Sequence, residues 1–447
     1  MASTNSLILG SFADLRARPA WLAILPSQQT VLVAEVLACI FLQRLVVPGT
    51  STRTIPMLLL VQFAAVGLLA LLNYKMIDLN RLLLLLAGLG GLTFSFLMTS
   101  SEPDVKLMAF LFVVVNYATI FWCVVPSSVI LAVRSAFVGG MTVCAGLGLL
   151  QVVGQLAGVP KVDVLAFLPS SLLSTYFHNH IPVEYGSEIF KADGMFLLEP
   201  SVFCQWLAVA LLFELSGRRQ WWRCILFFAG MLASFSGTGF MALAAGLPFQ
   251  FLRGRLTHAV AIAGLLVLGA AVLFVTPMGD VFINRLTEES TNEDSSAQVR
   301  FVKPYARYFA SLDAKGLLFG HGPGSADVQL DQHTETPDDD HGSFSVVVEE
   351  DPMAKYLTGT AKEQEGMAST IIKVAYEYGL LGLPFAAGII YLFVVAECPL
   401  PAKVSLLVTY TVLGGWLVSP NVTLLCYLLL FLKPSDAPRV GGIPASS

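Results

Sequence analysis

Charge is what this sequence has least of. Only 13% of its 447 residues are Asp, Glu, Lys or Arg, about half the share usual in soluble domains. A soluble enzyme of this length is thereby excluded. The 26 basic and 31 acidic residues leave a formal net charge of −5, and without a basic excess no nucleic-acid partner is expected. Cysteine is sparse too. Cys39, Cys123, Cys144, Cys204, Cys224, Cys398 and Cys426 are scattered without paired spacing, so neither a disulfide framework nor a thiolate metal site is expected. No basic N-terminal region precedes an apolar stretch and a small-residue cleavage site, so no cleaved signal peptide is expected. No internal repeat or inverted symmetry of the kind that builds transporter halves is visible.

Hydrophobic residues make up 55% of the chain and the mean hydropathy is +0.73, which points to a bilayer protein. Apolar runs recur at roughly 29–47, 55–73, 80–98, 106–125, 133–156, 200–215, 224–236, 239–252, 259–276, 370–396, 403–418 and 421–433. The expected fold is an all-α polytopic membrane protein of about 12 transmembrane helices. An even number of spans puts both termini on one side. Arg16, Arg18, Lys75, Arg81, Arg134, Arg218, Arg219, Arg223, Arg253, Arg255, Lys403, Lys433 and Arg439 all fall there, and the positive-inside rule makes that side cytoplasmic.

Six regions follow. Residues 1–156 form an N-terminal bundle of five spans, 157–199 a first long outer loop, 200–276 spans six to nine, and 277–369 a large acidic outer loop with short helices. Residues 370–433 carry the last three spans and 434–447 a cytoplasmic tail. Long loops on a compact scaffold are usually functional. The second holds seventeen Asp and Glu against seven Lys and Arg. Within it, "AQVRFVKPYARYF" places Arg300, Lys303 and Arg307 against the local trend of charge. Two guanidinium forks and an ammonium suit phosphate or diphosphate oxygens; they equally suit neutralising the acids around them.

Four further stretches carry polar groups into apolar surroundings. "FKADGMFLLEPSVFCQW" leads from Lys191 through Gly194 to Glu199 and Pro200, where a span begins; Glu199 is either that helix's cap or a functional carboxylate at the mouth of the bundle. "ASFSGTGFMAL" offers Ser236 and Thr238 in a small-residue hairpin, which serves either a ligand or tight helix packing. "LLFGHGPGSADV" reads as a tight turn of irregular backbone, because no strand precedes it and no Gly-Lys-Ser/Thr follows. "STIIKVAYEYGLLGLPF" sets Lys373 and Glu377 four apart on one helical face, where they pair with each other or mark a functional cavity. His178, His180, His321, His333 and His341 match no zinc spacing, and "PDDDH" lacks the Gly and terminal Glu of a calcium hand, so no metal and no cofactor are expected.

Taken in order, the Lys-x-x-Gly-x-Phe stretch before a Pro-started span, the Ser-x-Ser-Gly-Thr-Gly hairpin, the late outer loop with Arg followed by "GLLFGHGPG", and the closing "EYGLLG" resemble the O-antigen ligase and polymerase superfamily. The likeness covers about residues 190 to 385. It implies a C-type glycosyltransferase of the bacterial inner membrane that acts on polyprenyl-diphosphate-linked glycans at the periplasmic face, so that both long loops are periplasmic. By position it makes Arg300, and Lys191 where many members have arginine, diphosphate-binding cations, which Lys303 and Arg307 join through their place beside Arg300, and it puts Ser236 and Thr238 in its hairpin as further substrate-binding groups. Glu199, Glu377 and Lys373 are its catalytic candidates. Ala368 and Ser369 stand where ligases read His-Asn, which favours a repeat-unit polymerase of exopolysaccharide or O-antigen type. Ligase-type transfer to another acceptor and secondary transport of an anionic glycolipid stay open. The implied partners are the lipid-linked oligosaccharide donor and acceptor, membrane lipid, a chain-length regulator and a flippase.

Overall fold

The computed structural model describes residues 26–47, 55–73, 79–99, 124–174, 181–183, 187–217, 220–251, 303–310, 313–325 and 370–413, with isolated positions in 107–115, at 264 and in 425–434. The described chain is predominantly helical. Its extended pieces are two-residue pairings, β1 (Val46–Val47) with β2 (Ile55–Pro56) and β3 (Val124–Val125) with β4 (Lys433–Pro434).

The helices are α1 (Gln28–Phe41), α2 (Met57–Asn73), α3 (Leu79–Met98), α4 (Ser127–Leu156), α5 (Pro200–Ser216), α6 (Trp221–Ala233), α7 (Gly237–Phe251), α8 (Lys303–Ala310), α9 (Ala314–Phe319), α10 (Thr370–Tyr378), α11 (Leu383–Val395) and α12 (Leu400–Val408). A 3-10 turn, Gly379–Gly382, joins α10 to α11, and a π-turn, Thr409–Leu413, continues α12. Two helical stretches, Ser127–Leu156 and Thr370–Val395, are long and apolar enough to cross a membrane. The other apolar helices are shorter.

Helix α5 is the axis of the bundle. Pro200 sits at its first turn, where a missing N–H costs nothing. Nearly every side chain from Phe203 to Leu215 is buried, as expected of a helix apolar all round. It packs against α4, α6, α7 and α12. Small residues set the closest approaches. A Cβ on Gly239 would run into the Cys204 backbone, and one on Gly246 into the Pro401 carbonyl at 2.5 Å, so α7 lies tight on α5 and α12. Gly91 of α3 meets the Leu381 carbonyl in the same way, three residues from Gly88 beside Phe385.

The apolar runs meet different outcomes. The run at 29–47 stops being helical after Phe41: Leu42 is the C-cap, and Leu45 to Val47 turn outward to pair with Leu173 and with β2. The short runs at 224–236 and 239–252 do not merge into one helix; they are α6 and α7, separated by a turn in which Phe235 takes φ +48°. The run at 259–276 lies outside the described residues apart from Gly264.

Candidate functional site

The segment 187–201 is bracketed on every side. Gln151 and Gln155, one turn apart near the C-terminus of α4, each clamp one residue. Gln155 donates to the Phe190 carbonyl (3.1 Å) and accepts from its N–H (2.7 Å). Gln151 donates to Asp193 Oδ1 (3.0 Å) and accepts from the Asp193 N–H (3.2 Å). From the preceding loop, Lys161 Nζ donates to Asp193 Oδ2 (2.8 Å) and to the Lys191 carbonyl (2.9 Å); the Lys161 and Asp193 side chains are each 1% exposed. Arg44, just beyond α1, reaches both oxygens of Asp163 (2.7 and 2.5 Å) and donates to the Met195 carbonyl (2.8 Å).

The backbone turns at Gly194 (φ +67°) and Met195 (φ +70°). Only glycine fits the first of these, because a Cβ there would meet the Phe203 ring at 2.8 Å. The non-glycine residue beside it is held by its N–H bond to Asp193 Oδ1 (2.8 Å). Lys191 is buried inside this frame.

Glu199 occupies the N-cap position of α5 but its side chain makes no bond to the helix N–H groups. It accepts from Ser201 Oγ at 2.6 Å instead. The Ser201 carbonyl in turn accepts from Thr238 Oγ1 (3.2 Å), which lies 3.0 Å from Ser236 Oγ. Two stretches more than thirty residues apart thus form one polar ledge, Glu199–Ser201–Thr238–Ser236. Glu199, Ser201 and Ser236 are partly exposed on it. Such a row of a carboxylate and three hydroxyls can accept from and donate to the hydroxyls of a sugar.

A second group gathers around α10. Lys373 Nζ and Glu377 Oε1 are 3.9 Å apart on one face of the helix, with their side chains 1% and 0% exposed, so they pair. The glycine-rich stretch around residues 316–325 docks onto the end of this helix. The His321 N–H donates to the Tyr376 carbonyl and the Gly322 N–H to the Glu377 carbonyl, each at 2.9 Å. Gly320, Gly322, Gly324 and Gly379 all have positive φ. The approach is backbone on backbone: a Cβ at Gly379 would lie 2.6 Å from the Leu317 carbonyl and 2.7 Å from the Gly320 nitrogen. Ser95 of α3 closes the junction, donating to the Phe319 carbonyl at 2.5 Å.

Helix α8 begins at Lys303 with Pro304 in its first turn, and Lys303 and Arg307 stand one turn apart in it. Tyr308 packs this helix on Ile372 and Tyr376 of α10. Arg300, with His178, His180, His333 and His341, lies outside the described residues. Among the described residues no group of His, Cys, Asp and Glu is placed to hold a metal ion.

The two groups share a support. Gln205 of α5 donates to the Leu413 carbonyl (3.3 Å) and Thr370 of α10 to the Tyr410 carbonyl (2.7 Å), both in the π-turn. Lys161, Asp163, Asp193, Arg44 and Ser201 were not among the candidates read from sequence. The Gln-x-x-x-Gln spacing on α4 and the isolated charges beside apolar runs were the available signals. No family model matches the chain, and no curated protein matches it.

Proposed function

We propose that the chain is a polytopic inner-membrane polysaccharide polymerase, with about twelve spans and both termini cytoplasmic. It joins polyprenyl-diphosphate-linked repeat units on the periplasmic face. One observation carries the reading most strongly: "GLLFGHGPG" and "EYGLLG", distant in sequence, are two halves of one backbone junction. Beside it stands the helix that bears Lys303 and Arg307. A conformation this costly in glycine, next to cations at the outer end of a bundle, suits a site for an anionic lipid headgroup.

In the proposed reaction, the non-reducing-end hydroxyl of one lipid-linked unit attacks the anomeric carbon of a glycan on a second lipid. The carbon–oxygen bond to the diphosphate breaks, and the electron pair leaves with it. Lys191, Arg300, Lys303 and Arg307 stabilise the charge that develops there. Ser236 and Thr238 hold sugar hydroxyls along the ledge with Ser201. A carboxylate takes the acceptor proton. Glu199 is the more open of the two candidates, since Glu377 is fully buried beside Lys373.

The test uses purified protein with lipid-diphosphate-linked repeat units and follows product length on a gel, wild type beside Arg300→Ala and Lys191→Ala. A ladder from wild type that falls by about 10²-fold or more in each variant supports polymerase chemistry and its cations. No ladder from wild type, with intact lipid-linked units moved across vesicles instead, overturns the reading in favour of a transporter.

A further inference from the structure

His321 lies at the centre of the junction on α10, and nothing in the scheme above uses it. Its backbone is fixed: its own N–H binds the Tyr376 carbonyl, Gly320 N–H binds the Gly316 carbonyl (2.8 Å), and Gly322 N–H binds the Glu377 carbonyl. Its ring is fixed as well, stacked on Tyr376 with centroids 4.4 Å apart and planes 31° from parallel. The Nε2 edge points toward the start of α9. A Cβ placed on Gly316 would meet His321 Nε2 at 3.0 Å and Asp313 Oδ1 at 2.6 Å. Asp313 is itself held by the Gly316 N–H at 2.5 Å. An imidazole edge and a carboxylate therefore face one small space, which Gly316 leaves open.

The surroundings separate His321 from its neighbours. Tyr376, Lys373 and Glu377 are buried, while His321 is partly exposed. The charged and titratable groups on the elements it docks against are Asp313 and Lys315 at the start of α9, and Lys373, Tyr376 and Glu377 of α10, the helix on which Tyr308 of α8 packs. An imidazole with a held backbone, a held ring and partial exposure, stacked on the tyrosine against which α8 packs, has the placement required of a proton acceptor.

Resting on the polymerase reading, we propose that His321 is a catalytic residue, the base that takes the acceptor hydroxyl's proton in place of the carboxylate assigned that role above. As that O–H bond breaks onto the imidazole, the acceptor oxygen forms its bond to the anomeric carbon. The anomeric carbon–oxygen bond breaks, and its electron pair leaves with the diphosphate. The imidazolium then returns its proton to water. Asp313 steadies the charged ring, and Tyr376 sets its plane.

The test measures initial polymerisation rates against pH for purified wild type, His321→Gln, His321→Ala and Asp313→Asn, with thermal melting followed on the same samples. The expected result is a fall of roughly 10²- to 10⁴-fold in His321→Gln at unchanged melting temperature. The pH–rate profile of the wild type should change shape in the variant. Added imidazole should restore part of the rate to His321→Ala. A His321→Gln rate near that of wild type overturns the proposal. So does a loss that keeps the wild-type pH profile and resists imidazole, which marks His321 as packing alone. Those failures leave the wild-type ladder intact, whereas absence of that ladder at every pH overturns the polymerase reading and this step with it.

Discussion

Lys161 and Asp193 form an ion pair from which water is excluded, and its consequences differ from those of an exposed pair. Each side chain is 1% exposed and their charged atoms are 2.8 Å apart. Taking away one partner strands the other charge, a change that costs about 3–5 kcal/mol in buried settings. Asp193→Leu alone is therefore expected to lower the melting temperature sharply, and the double variant Lys161→Met, Asp193→Leu to recover part of it, as read by melting in detergent. Cys398 gives a pH-dependent counterpart. Burial pushes its thiol up to about 11, while the Arg134 and Lys403 charges oppose the rise. The nucleophile is the thiolate, so alkylation of Cys398 should stay slow at neutral pH and accelerate only toward that value, followed by mass spectrometry. A faster rate near neutrality would show the thiol in water. The charges at Lys161, Asp193 and Arg44 were visible in the sequence, but their pairing was not. Arg44 and Asp163 are 119 positions apart, and only the folded chain brings them together. Lys373 with Glu377, four apart on one helix, was legible for the opposite reason.

Elements show where local pattern ends and tertiary contact takes over. Pro200 starts α5 where sequence placed it, and the small residues after Ala233 turn the chain between α6 and α7. The end of α1 was less legible. Apolarity continues to Val47, but Arg44 is drawn away to Asp163 and Met195, and the last residues pair with other strands. Nothing in composition distinguishes an apolar residue in a span from one in an outer pairing. The break between α10 and α11 was readable only as glycines. Its cause is the docked outer stretch, which occupies the Tyr376 and Glu377 carbonyls. Gly379 has φ +56° and no room for a Cβ. Gly379→Ala should therefore release residues 313–325 while α5 to α7 keep their packing. Amide exchange would show fast labelling in the outer stretch and unchanged protection in the bundle; uniform protection would mean that the junction tolerates a methyl group.

At the scale of the whole molecule, the hydropathy runs and the charge bias propose a sidedness that accessibility can check. Phe167 is 81% exposed in the loop after α4, and Trp222 is exposed near the arginines before α6. In cells with a permeabilised outer membrane, a membrane-impermeant thiol reagent should label Phe167→Cys. Trp222→Cys should react only after the inner membrane is opened, in a background lacking other reactive cysteines. Labelling of both from the same side would break the twelve-span arrangement. The order of motifs along the chain was legible, since each has its own local composition. Their assembly into a ledge and a docked junction was not, because it depends on side chains and carbonyls contributed by four or more helices.

Helix α4 has 30 residues, which at 1.5 Å per residue makes it about 45 Å long. The hydrocarbon layer is only about 30 Å thick. As a membrane span, α4 would leave part of its length clear of the lipid tails even when tilted, and Gln151 and Gln155, which hold Phe190 and Asp193, belong to its last two turns. In the proposed arrangement the helix would act as a ruler, setting the height at which the gripped 190–193 segment and Lys191 are presented above the acyl chains. The proposed lipid-diphosphate substrate would arrive at a height fixed by its own membrane, so reach would matter to it as much as charge. Removing one turn from α4 before Gln151 would draw the gripped 190–193 segment about 5 Å along the helix axis, away from the ledge that α5 and α7 hold.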